Sequence, residues 1–314
     1  MKNNPGLYSL FIKDGIIPFV ALGITLAFTG VFLIIQSITG HFLPHDVEAI
    51  GMTAEQLSYY KNGRIAQFMF HDRVSYGGAL VAVGILYIWL ALVPLRNKEP
   101  WAWWVLMFSG GYGFVSFLSY LGFGYFDIWH AIGTLGILPF FFLGLYHSYD
   151  RKQKLRWGSF RGQHKKFNLK TRVGRGQTLL LTNAAALFLG GAVIMIVGMT
   201  SVFVPEDLEY MRIQVCGLED INPNLIPVIA HDRASFGGGL AVIGIILCFI
   251  VYHGKPTKVL WETLAVAVSI GYLSAILVHF VIGYLNFLHL FPAFLGFGIF
   301  LSGMFLVEKL WSKT

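Results

Sequence analysis

Long apolar runs separated by short polar stretches organise this chain. Eight runs stand out, at about 15–38, 74–95, 101–123, 128–147, 178–202, 234–252, 259–282 and 287–307. Each matches the roughly 20 residues that a helix needs to cross a hydrocarbon core, and the runs lack the alternating polar positions of a barrel strand. The pattern predicts an all-α polytopic membrane protein with eight transmembrane helices. The links from the third run to the fourth and from the seventh to the eighth are only a few residues long, which makes those helices antiparallel neighbours.

The runs form two sets of four. His71-Asp72-Arg73, Ser75 and Gly77-Gly78 return 160 residues later as His231-Asp232-Arg233, Ser235 and Gly237-Gly238, and nine of the fifteen residues from 71 to 85 match those from 231 to 245. The loops repeat as well: Phe42-Leu43-Pro44-His45-Asp46 answers Phe203-Val204-Pro205-Glu206-Asp207. An even number of spans per half makes this a parallel repeat about the membrane normal. The expected organisation is a first four-helix bundle over 1–150, a basic linker over 151–177 and a second four-helix bundle over 178–314.

Composition agrees: 56% of residues are hydrophobic and 12% charged, with mean hydropathy +0.65, against about 25% charged in soluble domains. The net charge of +7 does not mark a nucleic-acid partner, because ten of the 23 Lys and Arg fall between Arg151 and Arg175. A basic loop between apolar runs reads as cytoplasmic, resting on anionic lipid heads. The loops after the first and fifth runs carry Asp46, Glu48, Glu55, Glu206, Asp207, Glu209, Glu219 and Asp220. Both termini are then expected inside and the acidic loops outside, with a bacterial-type plasma membrane as the setting. No cleavable signal is evident, and Cys216 and Cys248, one in a loop and one in a span, are not placed to pair.

Three consecutive polar residues at the mouth of an apolar run are costly, and their repetition calls for a function. Of ten histidines, four are related by the repeat: His71 with His231, and His130 with His289. His279 is set aside because its counterpart is Tyr120. Two facing imidazoles in an apolar bundle suit a bis-histidine b-type haem (heme b), giving His71 with His130 and His231 with His289. Gly77, Gly78, Gly133, Gly136, Gly237 and Gly238 are placed to let backbone approach the macrocycle, and Arg73 and Arg233 to neutralise propionates. Asp72 and Asp232, expected at helix N-termini, are the candidate catalytic carboxylates. Simpler readings stand beside these: histidines that bond a neighbouring helix, Gly-Gly as close helix packing, and a non-haem iron or zinc held by His and Asp. No phosphate loop, zinc-protease motif or nucleophile elbow is present.

Eight spans with a histidine on the second, fourth, sixth and eighth resemble the haem A synthase family in architecture and histidine spacing. That resemblance implies two haem sites, His71–His130 and His231–His289, one a cofactor and one a haem substrate. Position 68 is Phe where the family carries a glutamate, Asp72 separates histidine from arginine, and the family's paired outer-loop cysteines are missing. The expectation is a membrane oxidoreductase in electron transfer or haem modification, with a redox protein or quinone as partner. A carrier or receptor using the His-Asp-Arg motifs at the seam between the halves is the alternative.

Overall fold

The structure, a computed structural model, describes residues 14–118, 121–122, 125, 128–149 and 167–311, with the side chains of His130 and Leu310 outside that set. The described residues are helical and contain no strand. Four long helices lie in the first half: α1 (Ile16–Ile38), α4 (Arg64–Leu90), α5 (Pro100–Leu118) and α6 (Ile128–Ser148). Four lie in the second: α7 (Arg172–Gly198), α10 (Leu225–His253), α11 (Lys258–Ile282) and α12 (Phe287–Trp311). Short helices α2 (Pro44–Ile50) and α3 (Ala54–Ser58) precede α4, and α8 (Pro205–Met211) and α9 (Val215–Ile221) precede α10. Seven of the long helices are long and apolar enough to cross a membrane, the architecture of an integral membrane protein. The exception is α5, whose Trp, Gly and Ser residues lower its hydropathy.

Two helix starts differ from the expected limits for one reason. α4 begins at Arg64 instead of 74, and α10 at Leu225 instead of 234. An apolar-run criterion stops at His-Asp-Arg, but these side chains are buried and partnered, so the helix continues through them. Asp72 is therefore the ninth residue of α4 and Asp232 the eighth of α10, too deep for the helix-terminal role expected of them. Likewise Arg172 to Gln177, expected in the basic linker, form the first turns of α7, where the Thr171 hydroxyl accepts from the Gly174 N–H; residues 151–166 of that linker lie outside the described residues.

The second correction concerns the bundles. α4 and α10 are buried almost all round and pack against each other at the centre. Each leans on the first helix of its own half, α4 on α1 and α10 on α7, and also on a helix of the other half, α4 on α11 and α10 on α5. One continuous core joins Phe19, Leu86 and Leu106 to Leu180, Ile246 and Leu264. A second cluster closes the end that carries the short helices, joining Phe42, Phe68 and Met69 to Phe203, Met211 and Tyr284. The two halves interlock and do not stand as separate bundles.

The Gly-Gly pairs make this interlocking possible. A Cβ on Gly77 would lie 2.7 Å from the Gly30 carbonyl oxygen of α1, and one on Gly237 2.6 Å from that of Gly191 on α7, contacts within each half. A Cβ on Gly78 would strike Ser274 of α11, and one on Gly238 would strike Ser116 of α5, contacts between halves. Small residues thus let both faces of each central helix close, in keeping with the packing alternative and not with backbone approach to a flat ring. Gly133 and Gly136 face open space.

Gly30→Val, whose Cβ would sit 2.4 Å from the Gly77 carbonyl oxygen, is expected to force α1 and α4 apart and cost about 1–3 kcal/mol. Gly298→Ala, where a Cβ meets nothing within 4 Å, should be near neutral. Thermal unfolding in detergent compares the two.

Candidate functional site

The two His-Asp-Arg copies meet at the contact between α4 and α10, and they pair reciprocally. Arg73 Nε donates to Asp232 Oδ2 at 2.8 Å, while Arg233 Nε lies 3.4 Å from Asp72 Oδ2. Each guanidinium also reaches a short helix: Arg73 Nη1 lies 2.7 Å from Asp46 Oδ2, and Arg233 Nη1 lies 2.5 Å from Asp207 Oδ2. All six side chains are buried. The repeated Phe-x-Pro-x-Asp explains the outer partners. Proline opens α2 and α8, and the aspartate two residues later bonds back to the N-cap backbone, Asp46 to the Leu43 N–H and Asp207 to the Val204 N–H. Tyr125 donates to Asp46 Oδ1 at 3.0 Å, and Tyr284 donates to Asp207 Oδ1 at 2.8 Å.

The arginines are thus committed to carboxylates on both sides, which corrects the expected role at haem propionates. At formal charge, four carboxylates against two guanidiniums leave an excess of two negative charges (4 − 2 = 2) inside an apolar protein. Buried charge on this scale is tolerated only with a further cation nearby or with a carboxylate protonated.

His71 projects from α4 into the second half. Its Nε2 lies 3.0 Å from Nε2 of His279 on α11, and its ring centroid is 6.1 Å from that of His289 on α12. Ring nitrogens of His71, His279 and His289 lie within 4.8 Å of one another. The second ring nitrogen of each histidine is turned outward. His279 Nδ1 contacts the Ala275 carbonyl at 2.6 Å, an oxygen that only accepts, so the proton sits on Nδ1 and Nε2 carries a lone pair. His71 Nδ1 lies 3.3 Å from Asp72 Oδ1. The Tyr284 hydroxyl gives its hydrogen to Asp207, so its oxygen accepts from His289 Nδ1 at 3.2 Å. Burial, with the Asp207 carboxylate beside it, pushes the Tyr284 phenol well above its ordinary range and keeps it a donor. The His279 and His289 N–H groups are held by a carbonyl and a hydroxyl, and the Asp72 carboxylate stands beside His71 Nδ1, the kind of arrangement that orients metal-binding imidazoles.

A cavity of about 610 Å³ adjoins this cluster, lined by α4, α7, α10, α11 and α12. A second, of about 530 Å³, occupies the corresponding place in the first half, with His231 and Asp232 of α10 on its wall. His231 lies there beside Phe117 and Tyr125, ring centroids 5.7 and 5.8 Å away.

The histidine pairing is therefore exchanged relative to expectation. His71 meets histidines of the second half, and His231 faces the first-half cavity, because the cross-half glycine contacts turn each central helix toward the other half. The expected partner of His71, His130, has its side chain outside the described residues. Among the described residues the histidine group placed to hold a metal is His71, His279 and His289. His279 is the residue that the repeat pattern misses, because it has no histidine counterpart; a histidine within an apolar span is itself the signal. The sequence marks Asp46 and Asp207 as repeated loop residues but not their partners, and Tyr125 and Tyr284 each follow a repeated glycine.

Comparison with protein families, curated proteins and solved structures finds no match. Fold and site together define an all-helical membrane protein with a buried histidine cluster and a crossed ion-pair network.

Arg233→Ala would leave Asp72 and Asp207 buried without their cation, at an expected cost of about 3–5 kcal/mol. Arg233→Lys is expected to recover little, because the ammonium cannot present two fixed nitrogens to two carboxylates. Equilibrium unfolding in detergent micelles measures both.

Proposed function

We propose that this chain is a membrane-embedded metalloprotein in which His71, His279 and His289 hold one transition-metal ion beside the 610 Å³ cavity, and that it works as an oxidoreductase. The carrying observation is the 3.0 Å approach of His71 Nε2 to His279 Nε2. His279 Nε2 turns a lone pair toward His71 Nε2, so the pair either shares one proton as a hydrogen bond or, with that proton lost, takes a metal ion in its place. Metal–nitrogen bonds of about 2.0–2.1 Å fit within nitrogen separations of this order. Imidazole suits zinc, copper, iron or nickel, and an open coordination position would supply Lewis-acid or one-electron chemistry at the cavity wall. The excess of carboxylate charge beside the cluster further favours a divalent cation.

A bis-histidine haem needs about 4 Å between axial nitrogens, two metal–nitrogen bonds of about 2 Å each, with a flat slot between them. Three imidazoles converging from three helices leave no such slot, so the second-half cluster suits a compact ion. The haem reading keeps one place, the 530 Å³ cavity beside His231. The finer architecture belongs to the same proposal: eight spans in two interlocked repeats, termini on the cytoplasmic side, and the short helices with both sites toward the outside.

The test is elemental analysis and a visible spectrum of purified protein. About one zinc, iron or copper per chain is expected, with His279→Ala and His289→Ala each abolishing it. Asp72→Asn should weaken metal affinity about 10–100-fold, as loss of an outer-shell partner does. Metal-free protein from metal-replete cells sinks the metal reading, and a Soret band that His231→Ala removes establishes haem in the first-half cavity.

A further inference from the structure

The second-half cavity is apolar along most of its length and polar at one end. Its walls are Leu187, Ile194, Leu240, Ile243 and Val268; its polar end is formed by the three histidines, Asp72, Arg233 and Ser75. The Ser75 hydroxyl is 1% exposed and has no hydrogen-bond partner. Ser109 and Ser274 return their hydroxyls to their own helices, to the Val105 carbonyl at 2.6 Å and the Gly271 carbonyl at 3.0 Å, whereas Ser235, the repeat counterpart of Ser75 on the wall of the first-half cavity, is orphaned in the same way. An orphaned buried hydroxyl is costly, and that of Ser75 lines the cavity beside the histidine cluster.

The cavity also has a side entrance. α7 and α12 touch near one end, where Gly176 packs against Gly303 and Val307, and at mid-length, where Asn183 Nδ2 donates to the Gly296 carbonyl at 2.8 Å and to the Tyr272 hydroxyl at 2.7 Å. Beyond Asn183, Pro292 removes the N–H that would bond the Leu288 carbonyl in α12. Gly190 of α7 faces open space there. The cavity rim at this level, Leu189, Val193 and Leu288, is exposed and apolar, the surface that lipid covers.

We infer that this cavity takes a lipid-soluble amphiphile from the bilayer, with its hydrocarbon tail between α7 and α12 and a neutral carbonyl head group accepting from Ser75. Neutrality follows from the charge count: with a divalent ion bound, the excess of two negative charges is offset (−2 + 2 = 0) and both guanidiniums are engaged by aspartates, so an anionic head would bring an uncompensated charge into an apolar cavity. Such a carbonyl is found on an isoprenoid-type quinone and on a long-chain ester or aldehyde. The inference takes the metal-site proposal as its frame and names the substrate class of that site.

The experiment measures binding of decylubiquinone, methyl palmitate and palmitate to the full-length protein in lipid nanodiscs, with metal content determined on the same samples. Saturable binding of at least one neutral probe is expected, with palmitate at least tenfold weaker. Gly190→Phe, which fills the entrance, should weaken that binding at least tenfold, and Ser75→Ala about fivefold, both with thermal stability and metal content unchanged. Binding of the two neutral probes separates quinone from ester. Unaltered binding in Ser75→Ala, or equal binding of palmitate, overturns the inference, as does failure of both neutral probes to bind metal-loaded protein. Metal-free protein that still binds a neutral probe in a Ser75-dependent way leaves this inference standing and removes the metal reading alone.

Discussion

Two arginines, each held between two aspartates in the interior of an apolar protein, impose the main constraint on this structure. Neither repeat satisfies its own charges. Arg73 needs Asp232 of the other copy, Asp72 needs Arg233, and each arginine reaches a carboxylate at the start of a short helix. Uncompensated charge in low dielectric is far more costly than uncompensated apolar surface. The two halves therefore associate in one register, with α4 against α10 and the short helices drawn over them.

The site is a consequence of that register. Once Arg73 and Asp72 are engaged at the α4–α10 seam, the preceding residue of the same turn, His71, points into the other half, toward α11 and α12. Gly78 and Gly238 permit the approach by removing the side chains that would hold α11 and α5 away. The histidine cluster connects back to the ion pairs through Asp72 on one side and through Tyr284 and Asp207 on another. Charge network and histidine cluster are joined by hydrogen bonds from His289 through Tyr284 and Asp207 to Arg233, and by the close approach of His71 to Asp72.

The repeat leaves an asymmetry. The two cavities occupy equivalent places, yet only the second half adds His279, whose counterpart by sequence is Tyr120. One altered donor thus gives the two otherwise equivalent cavities different chemistry at their walls.

The membrane class, the helical fold, the long helices and the two-copy pattern were legible in the sequence, because hydrophobic length and a repeated polar motif are local signals. The polar residues of the site were legible too: seven of its members, His71, Asp72, Arg73, His231, Asp232, Arg233 and His289, stand out as costly groups in apolar runs. What the sequence could not decide was partnership. Helix limits at Arg64 and Leu225, the exchange of His71 into the second half, the recruitment of His279, and the capture of Asp46 and Asp207 all depend on contacts between residues far apart in the chain. A polar group inside a bilayer-sized helix announces its cost from sequence alone, whereas the group that offsets the cost is chosen by packing, and here the packing crosses between the repeats.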